Sequence, residues 1–202
     1  ISVSAVGSLK EEIAPRDFVF PDQIIDRTKS RVNSFYEPHA VHVLFAEPFC
    51  SGLADVLCET SAELGVKVHS GGTYVCMEGP LFSTKAESAM HRSWGASIIG
   101  MTALPEAKLA REAEICYATV ALVTDYDVWK DDEEVEISAL LANIKANTDN
   151  VKTLIKNVIP KLDLDSDCEC HSALAGAMIT DPAIIPEETK EAWKPLMGKY
   201  LK

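Results

Sequence analysis

The chain has 202 residues, of which 47% are hydrophobic and 25% are charged. This length and composition are typical of one globular domain and exclude long disorder. The formal net charge of −12 would repel a phosphate backbone, so we expect no nucleic-acid partner. No apolar run reaches the ~20 residues of a membrane-spanning helix, so we expect no membrane partner either. The six cysteines lack the spacing of a disulfide scaffold, which favours a reducing cytoplasm.

The first residues, Ile1 to Val6, have the apolar and β-branched character of a buried strand. They include neither an initiator methionine nor a polar lead-in. We therefore expect the chain to be the C-terminal part of a longer protein, with a fold that is incomplete at the N-terminus.

Further strand-like runs follow in chain order at 18–20, 43–46, 66–68, 73–76, 97–100 and 117–123. Helical patterns separate several of them, at 52–64, 84–94 and 105–113. This alternation predicts an α/β fold with a mixed, mostly parallel central sheet flanked by helices.

The longest helix is predicted over 133–159, where apolar residues recur at three- and four-residue steps and Pro160 stops the pattern. The acidic residues 131–134 suit the positive end of a helix dipole better than a metal site. We place a boundary at 160 and treat 161–202 as a divergent C-terminal extension, with helical signals after Pro186.

The apolar run 117–123 ends in Thr124-Asp125-Tyr126-Asp127, and ligands of open α/β sheets bind beyond the carboxyl ends of strands. If the backbone stays extended, Asp125 and Asp127 project to the same side. The more buried carboxyl then has a raised pKa and can act as an acid. The alternative is an Asx-type turn or a helix N-cap, and the spacing leaves both open.

Two further strand ends carry candidate residues. Gly79 and Pro80 force a turn that presents Phe82, which either stacks on a base or fills the core. Met101 and Thr102 follow the run 97–100; the methionine either meets a sugar or fills the core.

Two short segments suggest anion and metal binding respectively. Ser4-Ala5-Val6-Gly7-Ser8 is a strand that runs into a Gly-Ser turn, a feasible anion-binding backbone. Cys168-Glu169-Cys170-His171 is similar to half of a metal site, but no second Cys/His pair accompanies it in the sequence, so we expect no metal. A serine hydrolase is not supported, because no G-x-S-x-G elbow occurs.

Six ordered segments together resemble the methylthioadenosine phosphorylases, in particular those of eukaryotes such as fungi, within the trimeric purine nucleoside phosphorylases. They are Gly7-Ser8-Leu9-Lys10-Glu11-Glu12-Ile13, Ile25-Asp26-Arg27-Thr28, Ala46-Glu47-Pro48-Phe49-Cys50, Glu78-Gly79-Pro80-Leu81-Phe82-Ser83, Gly100-Met101-Thr102 with Pro105-Glu106, and Thr124-Asp125-Tyr126-Asp127. The resemblance covers 1–160 and implies the C-terminal majority of a nucleoside phosphorylase domain. It implies phosphorolysis of 5'-methylthioadenosine to adenine and 5-methylthioribose 1-phosphate, in methionine and purine salvage.

For the base, the resemblance implies Asp125 as the acid that protonates N7 and Asp127 as the acceptor of the N6 amine. Phe82 would line the base or sugar pocket. Branches that prefer 6-oxopurines typically carry Glu at the position of Ser83 and Asn at that of Asp125, so this chain is expected to favour adenine.

For the sugar and phosphate, the resemblance implies contacts from Met101 and Thr102, and a phosphate-binding strand end at Ser4 and Ala5. Ser4 replaces the more usual Thr. Phosphate is a co-substrate, and no cofactor is expected.

The resemblance also implies a homotrimer. Ile137, Leu140 and Leu141 would contact the methylthio group, or equally belong to the core, if one residue is absent before Val135; without that gap Ser138 would replace Ile137. His42 of a neighbouring subunit would complete that pocket. The expected location is the cytoplasm, with the nucleus as a further compartment.

Two departures from the family pattern bear on function. Leu81 stands where the family has Arg, and the upstream Gly-rich phosphate loop with its Arg-His pair lies outside the chain. The alternatives are a broader purine nucleoside phosphorylase and an inactive truncated chain that binds purines or oligomerises.

Overall fold

The computed structural model describes residues 1–130 and 137–201. Its strands are β1 (Ser2–Ser8), β2 (Phe18–Phe20), β3 (Gln23–Arg27), β4 (Val68–Ser70), β5 (Thr73–Met77), β6 (Ile98–Gly100) and β7 (Thr119–Asp125). They form one seven-stranded sheet in the order β3-β5-β6-β1-β7-β2-β4. The pairs β3–β5, β5–β6, β1–β7 and β2–β4 are parallel, whereas β1–β6 and β2–β7 are antiparallel. The predicted mixed, mostly parallel sheet is confirmed.

The helices are α1 (Ser51–Glu63), α2 (Lys85–Ser93), α3 (Ala103–Glu112), α4 (Ile137–Val158) and α5 (Glu187–Met197). A reciprocal capping box between Thr84 and Glu87 starts α2. Leu104 is non-helical within α3, so its regular part begins at Pro105, as predicted. The predicted start of α4 at 133 lies outside the described residues. Among the described helices, none is long and apolar enough to cross a membrane.

Strand β7 lies at the centre of the core, because its side chains are buried on both faces of the sheet. On one face, Val120 and Leu122 pack with Leu57 of α1 and Leu154 of α4. On the other face, Ala121 and Val123 pack with α3 and with Tyr74 of β5. The polar residues that follow β7 are thus held at the end of a rigid element.

The C-terminal part of the chain has an apolar cluster of its own. Trp193 and Met197 of α5 are buried with Tyr36 and Leu174. The rings of Tyr36 and Trp193 meet edge to face at 5.2 Å. This cluster packs the residues after α4 against the loop that follows β3.

Two strand predictions need correction. The run 43–46 is not a strand, because its residues are irregular and Leu44 is 88% exposed. The nearby pairing is a single bridge between Val41 and Met178. Strand β3 was not predicted, since it has only two adjacent apolar residues, Ile24 and Ile25, and none of its five residues is fully buried.

Candidate functional site

The carboxyl end of β7 brings Asp125 against the neighbouring strand β1. Asp125 pairs in register with Gly7, at an irregularity between Val6 and Gly7. The Thr124 hydroxyl donates to Oδ2 of Asp125 over 2.6 Å. A Cβ on Gly7 would lie 3.1 Å from Oδ1 of Asp125, so glycine at this position leaves room for the carboxyl.

The residues after Asp125 form an Asx-type turn. The backbone N–H of Asp127 donates to Oδ1 of Asp125 over 2.8 Å, and Asp127 has a positive φ of 51°. Of the two alternatives that the spacing left open, the structure shows the Asx-type turn and not extended backbone through Asp127. The turn keeps the two carboxyl groups adjacent by bending the chain.

Asp125 and Asp127 are both half-buried, and the Asp127 carboxyl, whose Oδ2 is enclosed, faces α2. Burial raises the pKa of Asp127, and the negative charge of Asp125 adds to that rise. The Ser88 hydroxyl, the Val128 backbone and His91 oppose it. Among the described residues, Oδ2 of Asp127, Oγ of Ser88 and both ring nitrogens of His91 are buried without a hydrogen-bond partner of ordinary geometry. This cluster has unused capacity for polar groups of a ligand or water.

A hydroxyl cluster lies further along β1, where β6 ends. Ser4 is buried, and its Oγ accepts a hydrogen bond from Thr102 Oγ1 over 2.8 Å. Ser4 Oγ also lies 3.0 Å from the Tyr74 hydroxyl. Burial raises the pKa of Tyr74, so its hydroxyl stays protonated and available as a donor. Ala5 and Thr102 are exposed beside this cluster.

The Arg31 guanidinium holds together the loops that follow β5 and β6. It donates to the carbonyl oxygens of Met77 at 3.2 Å and Glu78 at 2.8 Å. It also donates to Met101 O at 2.7 Å and to the carbonyl of Leu104. The sequence analysis missed Arg31, because it lies in a polar segment without periodicity.

The loop after β5 presents the aromatic candidate to solvent. Phe82 is 76% exposed, which excludes the core alternative, whereas Ser83 is buried. Gly79 has a φ of 71°, and a Cβ there would lie 2.6 Å from Met101 Sδ. Met101 is half-buried and packs on this turn.

The candidates for the methylthio pocket are spread over two segments. Leu140 is half-buried and Leu141 is exposed, whereas the buried face of α4 begins at Asn147. The side chain of Ile137 lies outside the described residues. His42 is exposed, and its backbone N–H donates to Ala177 O over 2.8 Å.

The sequence predicted no metal site because no second pair of ligands lies near Cys168 and Cys170 in the chain, but the fold supplies such a pair. Cys168 and Cys170 were expected to lack a second pair of ligands, but Cys50 and Cys116 lie beside them. Distance along the chain concealed this proximity.

The polar groups at the strand ends of this α/β fold form a candidate site for a small polar ligand. Two adjacent carboxyl groups lie at one end of β1 and a hydroxyl cluster lies along the same strand. The chain belongs to the Phosphorylase superfamily, whose sequence profile matches residues 1–160.

Curated relatives match along the whole chain. The S-methyl-5'-thioadenosine phosphorylase of Geobacter sulfurreducens is 52% identical over 204 residues, which cover 100% of this chain and 71% of that protein. The protein of the same name from Koribacter versatilis is 52% identical over 202 residues, covering 99% and 69%. Because these relatives are bacterial, the expectation of a eukaryotic, fungal-like sequence is wrong.

Solved structures share the fold. A methylthioadenosine phosphorylase sourced from an Antarctic soil metagenomic library superposes with a TM-score of 0.91 at 45% identity, covering 96% of this chain and 70% of that one. The methylthioadenosine phosphorylase of Schistosoma mansoni in complex with adenine gives 0.81 at 31% identity, covering 88% and 71%.

Proposed function

We propose that this chain catalyses the phosphorolysis of 5'-methylthioadenosine to adenine and 5-methylthioribose 1-phosphate, as a pentosyltransferase of methionine and purine salvage. Membership of the Phosphorylase superfamily supports the reaction type. The 52% identity to methylthioadenosine phosphorylases over the whole chain supports the substrate.

One observation carries the assignment to this site. The carboxyl pair contacts β1 at Gly7, and the hydroxyl cluster contacts the same strand at Ser4. Three residues of a strand span about 10 Å. That is the length scale of a purine and a pentose together. The irregularity between Val6 and Gly7 interrupts the alternation of side chains along β1, so one nucleoside at this strand end can reach both groups.

On the base side, we assign the proton donor to Asp125 from the family resemblance, although the carboxyl whose pKa burial raises is its neighbour Asp127. Asp125 donates a proton to N7 as the bond between N9 and C1' breaks. Adenine then leaves as a neutral base, which lowers the barrier. Asp127 accepts a hydrogen bond from the N6 amine. A neutral Asp127 serves this role too, because a protonated carboxyl keeps an acceptor oxygen.

On the sugar side, a phosphate oxygen forms the new bond to C1'. The Thr102 and Ser4 hydroxyls and the backbone at Ala5 hold phosphate, while its negative charge stabilises the electron-poor sugar. Phe82 and Met101 line the base and sugar pocket. No cofactor enters this scheme.

The pair Ser83 and Asp125 accounts for the proposed preference for adenine. A carboxyl that donates to N7 beside an acceptor for the amine suits adenine, whereas a 6-oxo group needs a donor. The test is purine release from methylthioadenosine, adenosine and inosine at equal concentrations. We expect methylthioadenosine to be preferred; preference for inosine would exclude the assignment.

We also propose a homotrimer in which His42 of a neighbouring subunit, with Ile137, Leu140 and Leu141, forms the methylthio pocket. The exposure of His42 and Leu141 supports a contact outside the single chain. Analytical ultracentrifugation tests the assembly, and a monomer with full activity would contradict it.

The proposed location is the cytoplasm, supported by six free cysteine thiols.

A further inference from the structure

Four cysteine thiols converge at one place in the described structure. The Sγ atoms of Cys50, Cys116, Cys168 and Cys170 all lie within 4.8 Å of one another. Cys50 Sγ and Cys168 Sγ are 3.8 Å apart, too far for a disulfide bond of about 2.05 Å. Cys50 and Cys170 are buried, and the other two are half-buried.

The four ligand positions come from three separate parts of the chain. Cys50 is the N-cap of α1, and Cys116 lies in the connection between α3 and β7. These two segments are joined by a hydrogen bond from Cys50 N to Tyr117 O over 2.7 Å. Cys168 and Cys170 come from the segment that follows α4. The fold thus brings together the four ligands that a closed tetrahedral zinc site needs.

We propose that these four thiols bind one Zn²⁺ ion as a tetrahedral structural site. In a tetrahedral site with Zn–S bonds of about 2.3 Å, neighbouring sulfurs lie about 3.8 Å apart. The separation of Cys50 Sγ and Cys168 Sγ has that value. Four thiolates in tetrahedral arrangement select zinc over the hard cations calcium and magnesium.

Positive groups beside the cluster offset part of the negative charge of such a site. Four thiolates and one Zn²⁺ carry a net charge of −2, which positive groups offset. Arg111 Nη1 lies 3.5 Å from Cys170 Sγ, and Cys50 lies at the positive N-terminal end of α1. His171 Nε2 lies 3.5 Å from Cys116 Sγ and can donate to that sulfur. Such outer groups orient the ligands and tune a metal.

The position of the site makes it structural rather than catalytic. All four positions of the tetrahedron are filled by protein, which leaves none for water or substrate. The seven residues of β7 lie between this cluster and Asp125, and they span about 20 Å. The bound ion would fasten the C-terminal segment to α1 and to the start of β7. A cavity of about 840 Å³ is lined by the four cysteines and gives the ion a route in.

The test is the zinc content of the full chain, purified under reducing conditions without chelator. We expect about one zinc per chain, as for a single closed Cys₄ site. Cys168→Ser and Cys170→Ser should each lower the zinc content at least tenfold. Cys58→Ser is the matched control, because Cys58 is a half-buried free thiol outside the cluster. It should retain the metal.

A second measurement applies if the cluster variants do not fold. X-ray absorption at the zinc edge of the unmodified chain should show four sulfur neighbours at about 2.3 Å. Three results would overturn the proposal: no zinc after growth with added zinc, unchanged zinc in both cluster variants, or disulfides among these cysteines in anaerobically purified chain. The readouts do not depend on phosphorolysis, so this proposal and the proposed function fail separately.

Discussion

The Asp125 carboxyl accepts a hydrogen bond from the backbone N–H of Asp127 over 2.8 Å, so each aspartate fixes the position of the other. The turn that this bond closes encloses Oδ2 of Asp127, and burial raises the pKa of that carboxyl, although both residues are half-buried as a whole. Two acids of unlike environment thus lie side by side, which suits different roles in one reaction.

Asp125→Asn should remove the proposed acid. We expect kcat/KM for methylthioadenosine to fall on the order of 10²-fold or more, because an amide cannot transfer the proton to N7. Steady-state kinetics measure this, with Asp149→Asn on the exposed face of α4 as the control. Near-normal turnover would show that Asp125 is not the acid that protonates N7.

Asp127→Asn should change how stability depends on pH. The pKa of Asp127 is raised above 3.8 in the folded chain, so ionising it lowers stability as pH rises from 3.8 through the raised value. The variant has no carboxyl to ionise at this position, so it does not lose this stability as the pH rises. We expect its free energy of unfolding, relative to the unmodified chain, to increase across this range. Urea unfolding at several pH values tests this, and a difference independent of pH would contradict it.

Gly7→Ala should displace the Asp125 carboxyl. The new Cβ would lie 3.1 Å from Asp125 Oδ1 and 3.3 Å from Asp127 Cβ, closer than ordinary contacts. We expect kcat/KM to fall about tenfold or more, since small misplacements of reacting groups are costly. Gly52→Ala is the control, because nothing lies within 4 Å of its added Cβ. If Gly7→Ala is as active as Gly52→Ala, the space left by Gly7 does not determine the position of the Asp125 carboxyl.

Arg31→Ala should loosen the loops that carry Met101 and Phe82. It removes the donor of four backbone carbonyls, and we expect the free energy of unfolding to fall by about 2–4 kcal/mol. KM for methylthioadenosine should rise as the pocket loses its shape. Lys29→Ala, an exposed neighbour, is the control for both readouts. An unchanged KM would show that Arg31 stabilises the fold without shaping the substrate pocket.

Much of the fold follows from local patterns in the sequence. Strand β7 was predicted from its continuous apolar run, and α2 from polar residues at its start that form a capping box. Leu44 misled the prediction, because a short apolar run looks the same in a strand as in an exposed loop. Strand β3 is paired by backbone hydrogen bonds to β5, which side-chain pattern does not encode.

The site was predictable only in part. Asp125 and Asp127 stand out because they end a buried strand, but their mutual hydrogen bond depends on the φ of one residue. Tyr74 lies in the strand-like run 73–76, and only the fold shows that its hydroxyl contacts Ser4. The four thiols span more than a hundred positions, so their convergence required the folded chain.

The central claim is that phosphate, rather than water, cleaves the glycosidic bond of methylthioadenosine at this site. Adenine release from methylthioadenosine, measured with and without inorganic phosphate, tests it most directly. We predict one adenine and one 5-methylthioribose 1-phosphate for each nucleoside consumed, and no release without phosphate. Adenine release at the same rate without phosphate, with free 5-methylthioribose as the product, would contradict it.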